Sequence, residues 1–218
     1  MGSPEQLGFT LKACGWRAQF TPVSDKRAAS AKPMHDRYRI SHQVEFTRED
    51  GSLFTAAEAE DFLAKLSLFL SFCHGQWVAT SFTAAVNPSG EVALEQWGTG
   101  RVSPWREPSG WLDEHHGDSI CQLYGPFCEK LQDKSWGEAL NLIVYWFARA
   151  ETNIVGPDGA CILLQATLER FAWHVLVRDR QDDLRETFQR TNGKRSFEMN
   201  AGPMVMCSHR RKTERRCR

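Results

Sequence analysis

What this sequence lacks narrows its chemistry first. It contains no Walker loop, no GxGxxG after a strand, no GxSxG elbow and no HExxH. Those gaps remove the phosphate-, dinucleotide-, serine-hydrolase and zincin readings that carry the shortest signatures. The seven cysteines (Cys14, Cys73, Cys121, Cys128, Cys161, Cys207 and Cys217) are odd in number and form no CxxC pair. The N-terminus has no continuous apolar leader, so we read them as reduced thiols in a cytoplasmic protein. Long apolar runs are missing too. Lys65 interrupts segment 62–72 and Asn141 interrupts 139–148, far short of the ~20 residues of a membrane-spanning helix. No membrane association is expected.

An excess of one charge is also absent. Lys and Arg number 27, as do Asp and Glu, for a formal charge of zero, so net charge does not support RNA or DNA as a partner. Residues 207–218 hold six basic residues and one acid, leaving 21 basic and 26 acidic residues elsewhere. That basic end reads as a solvated tail. What is present is apolar mass. A hydrophobic content of 41%, with 11% aromatic, over 218 residues suffices for a core in one large or two small domains.

The periodicities predict an α+β fold: an N-terminal region mixing α-helix and β-hairpin, then an antiparallel helical pair, then a disordered basic tail. Four stretches follow. Residues 1–35, with Pro4, Pro22 and Pro33 among the glycines, read as a poorly ordered segment holding one weak strand near Thr10–Phe20. Residues 36–112 read as an α+β domain. In it 38–47 alternate as a strand, and Thr55 with Glu58 makes a capping box. The helix they open, to about Cys73, carries Ala59, Phe62, Leu66, Phe69 and Leu70 inward. Strands over 77–86 and 91–97 flank the turn Asn87-Pro88-Ser89-Gly90 as a hairpin. Residues 98–112 read as a loop stapled by tryptophans. Residues 113–190 read as helical, and 191–218 as the tail.

Within the helical part, 118–132 reads as a helix with Ile120, Leu123, Phe127 and Leu131 inward, interrupted or kinked at Pro126. The next helix starts at Ser135, as N-cap with Glu138 three residues on, and carries the stripe Trp136, Leu140, Ile143, Val144 and Phe147. After Gly156-Pro157-Asp158-Gly159, Asp158 is expected to cap a helix whose core stripe is Cys161, Leu164, Leu168, Phe171 and Val175, widened by Ile162, Ala166 and Trp173. Asp182–Gln189 reads as one more short helix.

Most candidate sites have bland readings. Asp113, Glu114, His115, His116 and Asp118 are dense in potential ligands, but adjacent residues on one backbone seldom converge on one ion. Neither metal nor cofactor is expected. Cys121 and Cys128 share a helix face and read as core thiols. His74 reads as a cation at a helix C-terminus. Arg170 and His174, one turn apart, read as a polar surface pair. Glu169 falls on the apolar arc with Ile162, Trp173 and Leu176, so it is expected to be buried against donors from another segment.

The run YWFARAETNIVGPDGACILLQATLERFAWHVLV resembles a region of large uncharacterised bacterial proteins in which a mixed β domain precedes a HEPN-like helical domain. The matching residues are Trp146, Ala148, Asn153, Gly159, Leu164, Leu168, Glu169, Ala172 and Trp173, within about 135–178. The resemblance implies a homodimer through the helical region. It also implies RNA cleavage in anti-phage defence wherever an arginine and a histidine stand four to six residues apart on a late helix. Here Arg170 and His174 have only three residues between them. The composition changes near residue 180, which reads as a truncated or frame-shifted relative. The resulting expectation is a non-catalytic structural, interaction or sensor module. A HEPN-type ribonuclease is the alternative, with Arg170 and His174 as its weak catalytic candidates.

Overall fold

The computed structural model describes residues 8–23, 38, 40–104, 118–152 and 155–181. Residues 1–177 form one compact unit and 178–218 a second, of which 178–181 are described. The fold is α+β, with N-terminal strands followed by helices. The single weak strand expected near the N-terminus is in fact a hairpin. Strand β1 (Phe9–Ala13) pairs antiparallel with β2 (Trp16–Pro22), and β2 pairs with β3 (His42–Arg48) in the order β1-β2-β3. Leu11, Trp16, Ala18 and Phe20 point into the core while Lys12, Arg17 and Gln19 face solvent. That is the period of two required of a sheet wet on one side.

Helix α1 (Ala56–His74) starts as the sequence predicts. The Glu58 N–H donates to Thr55 Oγ1 (3.3 Å) and the Thr55 N–H donates to Glu58 Oε2 (2.8 Å). Phe62, Leu66 and Phe69 are buried, as is Leu63 on the neighbouring row, while Ala59 and Leu70 are half-buried. The helix ends at Gly75, whose left-handed backbone returns its N–H to the Ser71 carbonyl. The fully buried Ser71 hydroxyl donates to the Ser67 carbonyl (2.7 Å) and accepts from the Val78 N–H (3.0 Å). This holds 77–80 extended against α1, so the second hairpin starts only at β4 (Ser81–Val86) and pairs with β5 (Val92–Thr99). Asn87 Oδ1 accepts from the Ser89 and Glu91 N–H groups across its turn. One side of β4 (Ser81, Thr83 and Ala85) is half-buried, while Phe82, Val86, Val92, Leu94 and Trp97 of the hairpin are exposed.

Helix α2 (Asp118–Gln132) runs continuously through Pro126. The missing N–H leaves one ladder bond unmade without breaking the helix. Tyr124, Phe127 and Cys128 are buried, and Ile120, Leu123 and Leu131 pack half-buried against the same core. Helix α3 (Lys134–Glu151) follows almost directly. Its N-cap is Asp133, which accepts the Trp136 N–H at 2.7 Å, not the expected Ser135. Gly137 lets the two helices meet, since a Cβ there would sit 2.8 Å from the Leu131 carbonyl oxygen. The predicted α3 stripe is buried at Trp136, Leu140, Ile143 and Val144, with Phe147 half-buried. Helix α4 (Gly156–Trp173) packs antiparallel on α3 and passes into a π-helical turn, His174–Asp179. Asp158 lies in its first turn but makes no side-chain cap.

Residues 105–117 and 182–218 lie outside the described residues, with the tryptophan loop, most of the acid–histidine run, the short helix at 182–189 and the tail expected there.

Candidate functional site

The end of α4 is where the sequence-derived candidates meet the structure, and the helix is rotated from its expected setting. No residue of α4 itself is buried. The side facing α3 carries the half-buried Leu163 and Thr167, and two turns further on His174, which is 0% exposed. Most of the predicted core stripe instead reaches solvent: Leu164 is half-buried, but Cys161, Leu168, Phe171 and Val175 are exposed. The reason is that apolar residues surround α4. A pattern without a polar side does not say which side packs.

His174 is therefore an interior residue rather than a surface partner of Arg170. Its Nδ1 lies 3.1 Å from the Arg170 carbonyl oxygen, which can only accept, so Nδ1 donates. Its Nε2 faces Ser135 Oγ, inside the first turn of α3, at 3.4 Å. The ring packs between Trp136 (centroids 5.0 Å apart) and Trp173 (4.9 Å). The Arg170 guanidinium lies 6.0 Å from the centre of the Trp173 ring. Arginine and histidine thus meet through main chain and aromatic packing, and no acid–base pair is formed. Glu169 is exposed as well and accepts from Gln165 Nε2 at 2.9 Å. Its expected burial against another segment is overturned by the same rotation.

The result is an uncovered apolar strip. Ile162 (67% exposed), Leu168 (68%), Trp173 (49%) and Leu176 (54%) lie along one side of α4 and its π-helical end, with Gln165 and Glu169 as its polar atoms. The helical stretch Gly156–Asp179 is also, by length and composition alone, apolar enough to cross a membrane. The expectation that no stretch approaches membrane-spanning length does not hold for this helix.

Other features are less suggestive. An open cleft of about 570 Å³ lies between α1, the hairpin and α3, lined in part by Glu60, Ser67, Trp77, Gln96, Arg101 and Asn141. The Arg101 guanidinium sits over Trp77 (4.9 Å) and Tyr145 (5.4 Å). Among the described residues no three His, Cys, Asp or Glu side chains group to hold a metal ion. Asp118, the described member of the acid–histidine run, is exposed in the first turn of α2. His74 is part-buried in the last turn of α1, and burial holds its imidazole below the ordinary value.

Residues 6–108 match the YopA central domain and residues 133–203 the YopA C-terminal domain. The similarity is to YopA. Neither matching family is a HEPN family. The YopA C-terminal match begins at the α2–α3 junction and continues past residue 180, so the change of composition there is not where family similarity stops. The SPbeta prophage-derived uncharacterized protein YopA of Bacillus subtilis (strain 168) is 26% identical over 169 residues. That stretch is 74% of this chain and 38% of the B. subtilis protein, so the chain spans well under half of the relative's length. No solved structure matches the chain.

Proposed function

We propose that this YopA-like chain is a non-catalytic interaction module that assembles with a second copy of itself through the apolar side of α4. The observation that carries the reading is the strip formed by Ile162, Leu168, Trp173 and Leu176, all solvent-exposed on one helix. Monomeric soluble proteins rarely leave contiguous apolar surface of this kind open. A helix of 18 residues is about 27 Å long, enough for a helix-to-helix seam. Two-fold pairing of one surface with itself is the commonest oligomeric solution, and the HEPN-type resemblance of residues 135–178 also implies a dimer through the helical region. Glu169 and Gln165 favour a protein surface over a bilayer, because a carboxylate at bilayer depth costs about 2.5–3.5 kcal/mol. The reading leaves no place for RNA cleavage, since His174 is buried and the Arg170 guanidinium lies over the Trp173 ring.

The test is mass in solution. Light scattering of the purified chain is expected to show a concentration-dependent dimer. Leu168→Asp and Leu176→Asp should return it to a monomer without lowering Tm. A chain monomeric at all concentrations that binds lipid vesicles through the same residues would favour membrane association instead.

A further inference from the structure

The turn between β1 and β2 contains a strained cysteine. Cys14 and Gly15 are the two residues of a tight hairpin turn, with φ of +54° and +76°. Two positive φ values in a two-residue loop mark the turn type that favours Asn-Gly, because any other side chain crowds its own backbone. Asparagine, aspartate or glycine at position 14 would relieve that strain, and cysteine does not. Strain retained at one residue points to a role for its side chain. The Glu49 N–H, donating to the Gly15 carbonyl at 3.0 Å, ties the turn to the end of β3.

That thiol shares a cavity with a second one. Helix α2 lies along β1, with Cys121 Sγ 3.5 Å from the Thr10 carbonyl oxygen at one end and Gln132 Nε2 3.1 Å from Cys14 Sγ at the other. Between these ends, the buried Cys128 lies on α2 one turn before Gln132, the residue that touches Cys14, and lines the same cavity as Cys14 and Tyr124. Cys14 is exposed and Cys128 buried. Both line a cavity of about 430 Å³ shared with Trp16, Lys65, Tyr124 and Gln132. Burial pushes the Cys128 thiol up to about 12, so it is a poor initial nucleophile. The accessible member is Cys14.

We propose that Cys14 and Cys128 form a redox-active dithiol that closes to a disulfide when the chain meets a low-molecular-weight disulfide. In the first step the Cys14 thiolate attacks one sulfur of the small disulfide. A mixed disulfide forms on Cys14 and one small thiolate leaves. In the second, Cys128 sulfur attacks the Cys14 sulfur of that mixed disulfide, the second small thiolate departs, and the proton lost by Cys128 ends on it. One small disulfide becomes two small thiols, and two protein thiols become one disulfide. The closed bond staples the β1–β2 turn to α2, that is, the YopA central region to the helix preceding the YopA C-terminal match.

The experiment treats the full chain with oxidised glutathione, blocks remaining thiols and maps disulfides by mass spectrometry under non-reducing conditions. The expected product is a Cys14–Cys128 linked peptide, lighter by two hydrogens and restored by dithiothreitol, while exposed Cys161 yields at most a mixed adduct. Closure is expected to raise Tm by roughly 5–10 °C, because a long loop is tied off in the unfolded chain. Cys14→Ser and Cys128→Ala should each abolish the link and the shift. The first reads the chemistry with an intact core if the second folds poorly. A stable glutathione adduct on Cys14 with no link to Cys128, or links scattered among the other cysteines, would overturn the proposal.

Discussion

Glu169 and His174 show how a single turn of helix reverses the roles of two side chains. Both lie on α4 or its π-helical end, yet Glu169 meets only Gln165 at the surface while His174 fills an interior position between Trp136 and Trp173. Removing an exposed carboxylate whose single hydrogen bond is to a neighbouring amide changes stability by less than about 0.5 kcal/mol. Removing a fully buried ring leaves a cavity and takes a hydrogen-bond partner from the half-buried Ser135, at a cost of about 2–4 kcal/mol. Urea melts of Glu169→Ala and His174→Ala should therefore differ by several-fold in effect, with His174→Ala the damaging change. The reverse order would mean that α4 packs by its other side.

Helix α1 is held differently at its two ends, and pH separates them. At the start, bonds from the Thr55 backbone and hydroxyl, then the Arg48 charge, hold Glu58 below the ordinary carboxylate value. Its contribution is present above the unfolded carboxylate range near 4.5 and is lost as pH falls through the lowered folded value. At the other end, burial lowers the His74 imidazole below 6.5. Between that lowered value and 6.5 the unfolded chain binds the proton and the folded chain does not, so stability falls as pH drops below about 6.5. Denaturant melts between pH 7 and 5 should show this decline in the parent chain and a flatter profile in His74→Gln. An unchanged slope in the variant would remove His74 as the cause. The Glu58 window lies lower and does not overlap the test.

At the scale of the molecule, the two YopA matches do not correspond to two separate cores. Leu11, Trp16, Phe20, Phe62, Leu66 and Phe69 from the central match cluster with Trp136, Leu140 and Val144 from the C-terminal match, and with Tyr124, Phe127 and Cys128 of α2 between them. Residues sharing one core unfold together. The chain should melt in one transition by both circular dichroism and tryptophan fluorescence. Expressed separately, 1–112 and 118–218 should each lose the native near-ultraviolet spectrum, since each exposes half of a core made jointly. Two resolved transitions, or a fragment with native-like signal, would show the halves to be independent.

Elements whose apolar residues keep to one side were settled by sequence alone. The Thr55–Glu58 box, the α3 stripe from Trp136 to Val144 and the alternating β3 strand each have a single arrangement that buries apolar surface and satisfies backbone donors. The Asn87–Gly90 turn was legible for a similar reason, because its side chain supplies the acceptor the turn needs. Helix α4 was not legible in its orientation. With Leu163, Leu164, Leu168, Trp173 and Leu176 spread around it, several rotations bury similar area, and the choice fell to the surface α3 presents, where Ser135 and Trp136 accept the His174 ring. Nor was the pairing of Cys14 with Cys128, which are remote in sequence and brought together only when α2 lies down along β1. Local pattern determines which residues want to leave water, while contacts across long loops decide which surface receives them.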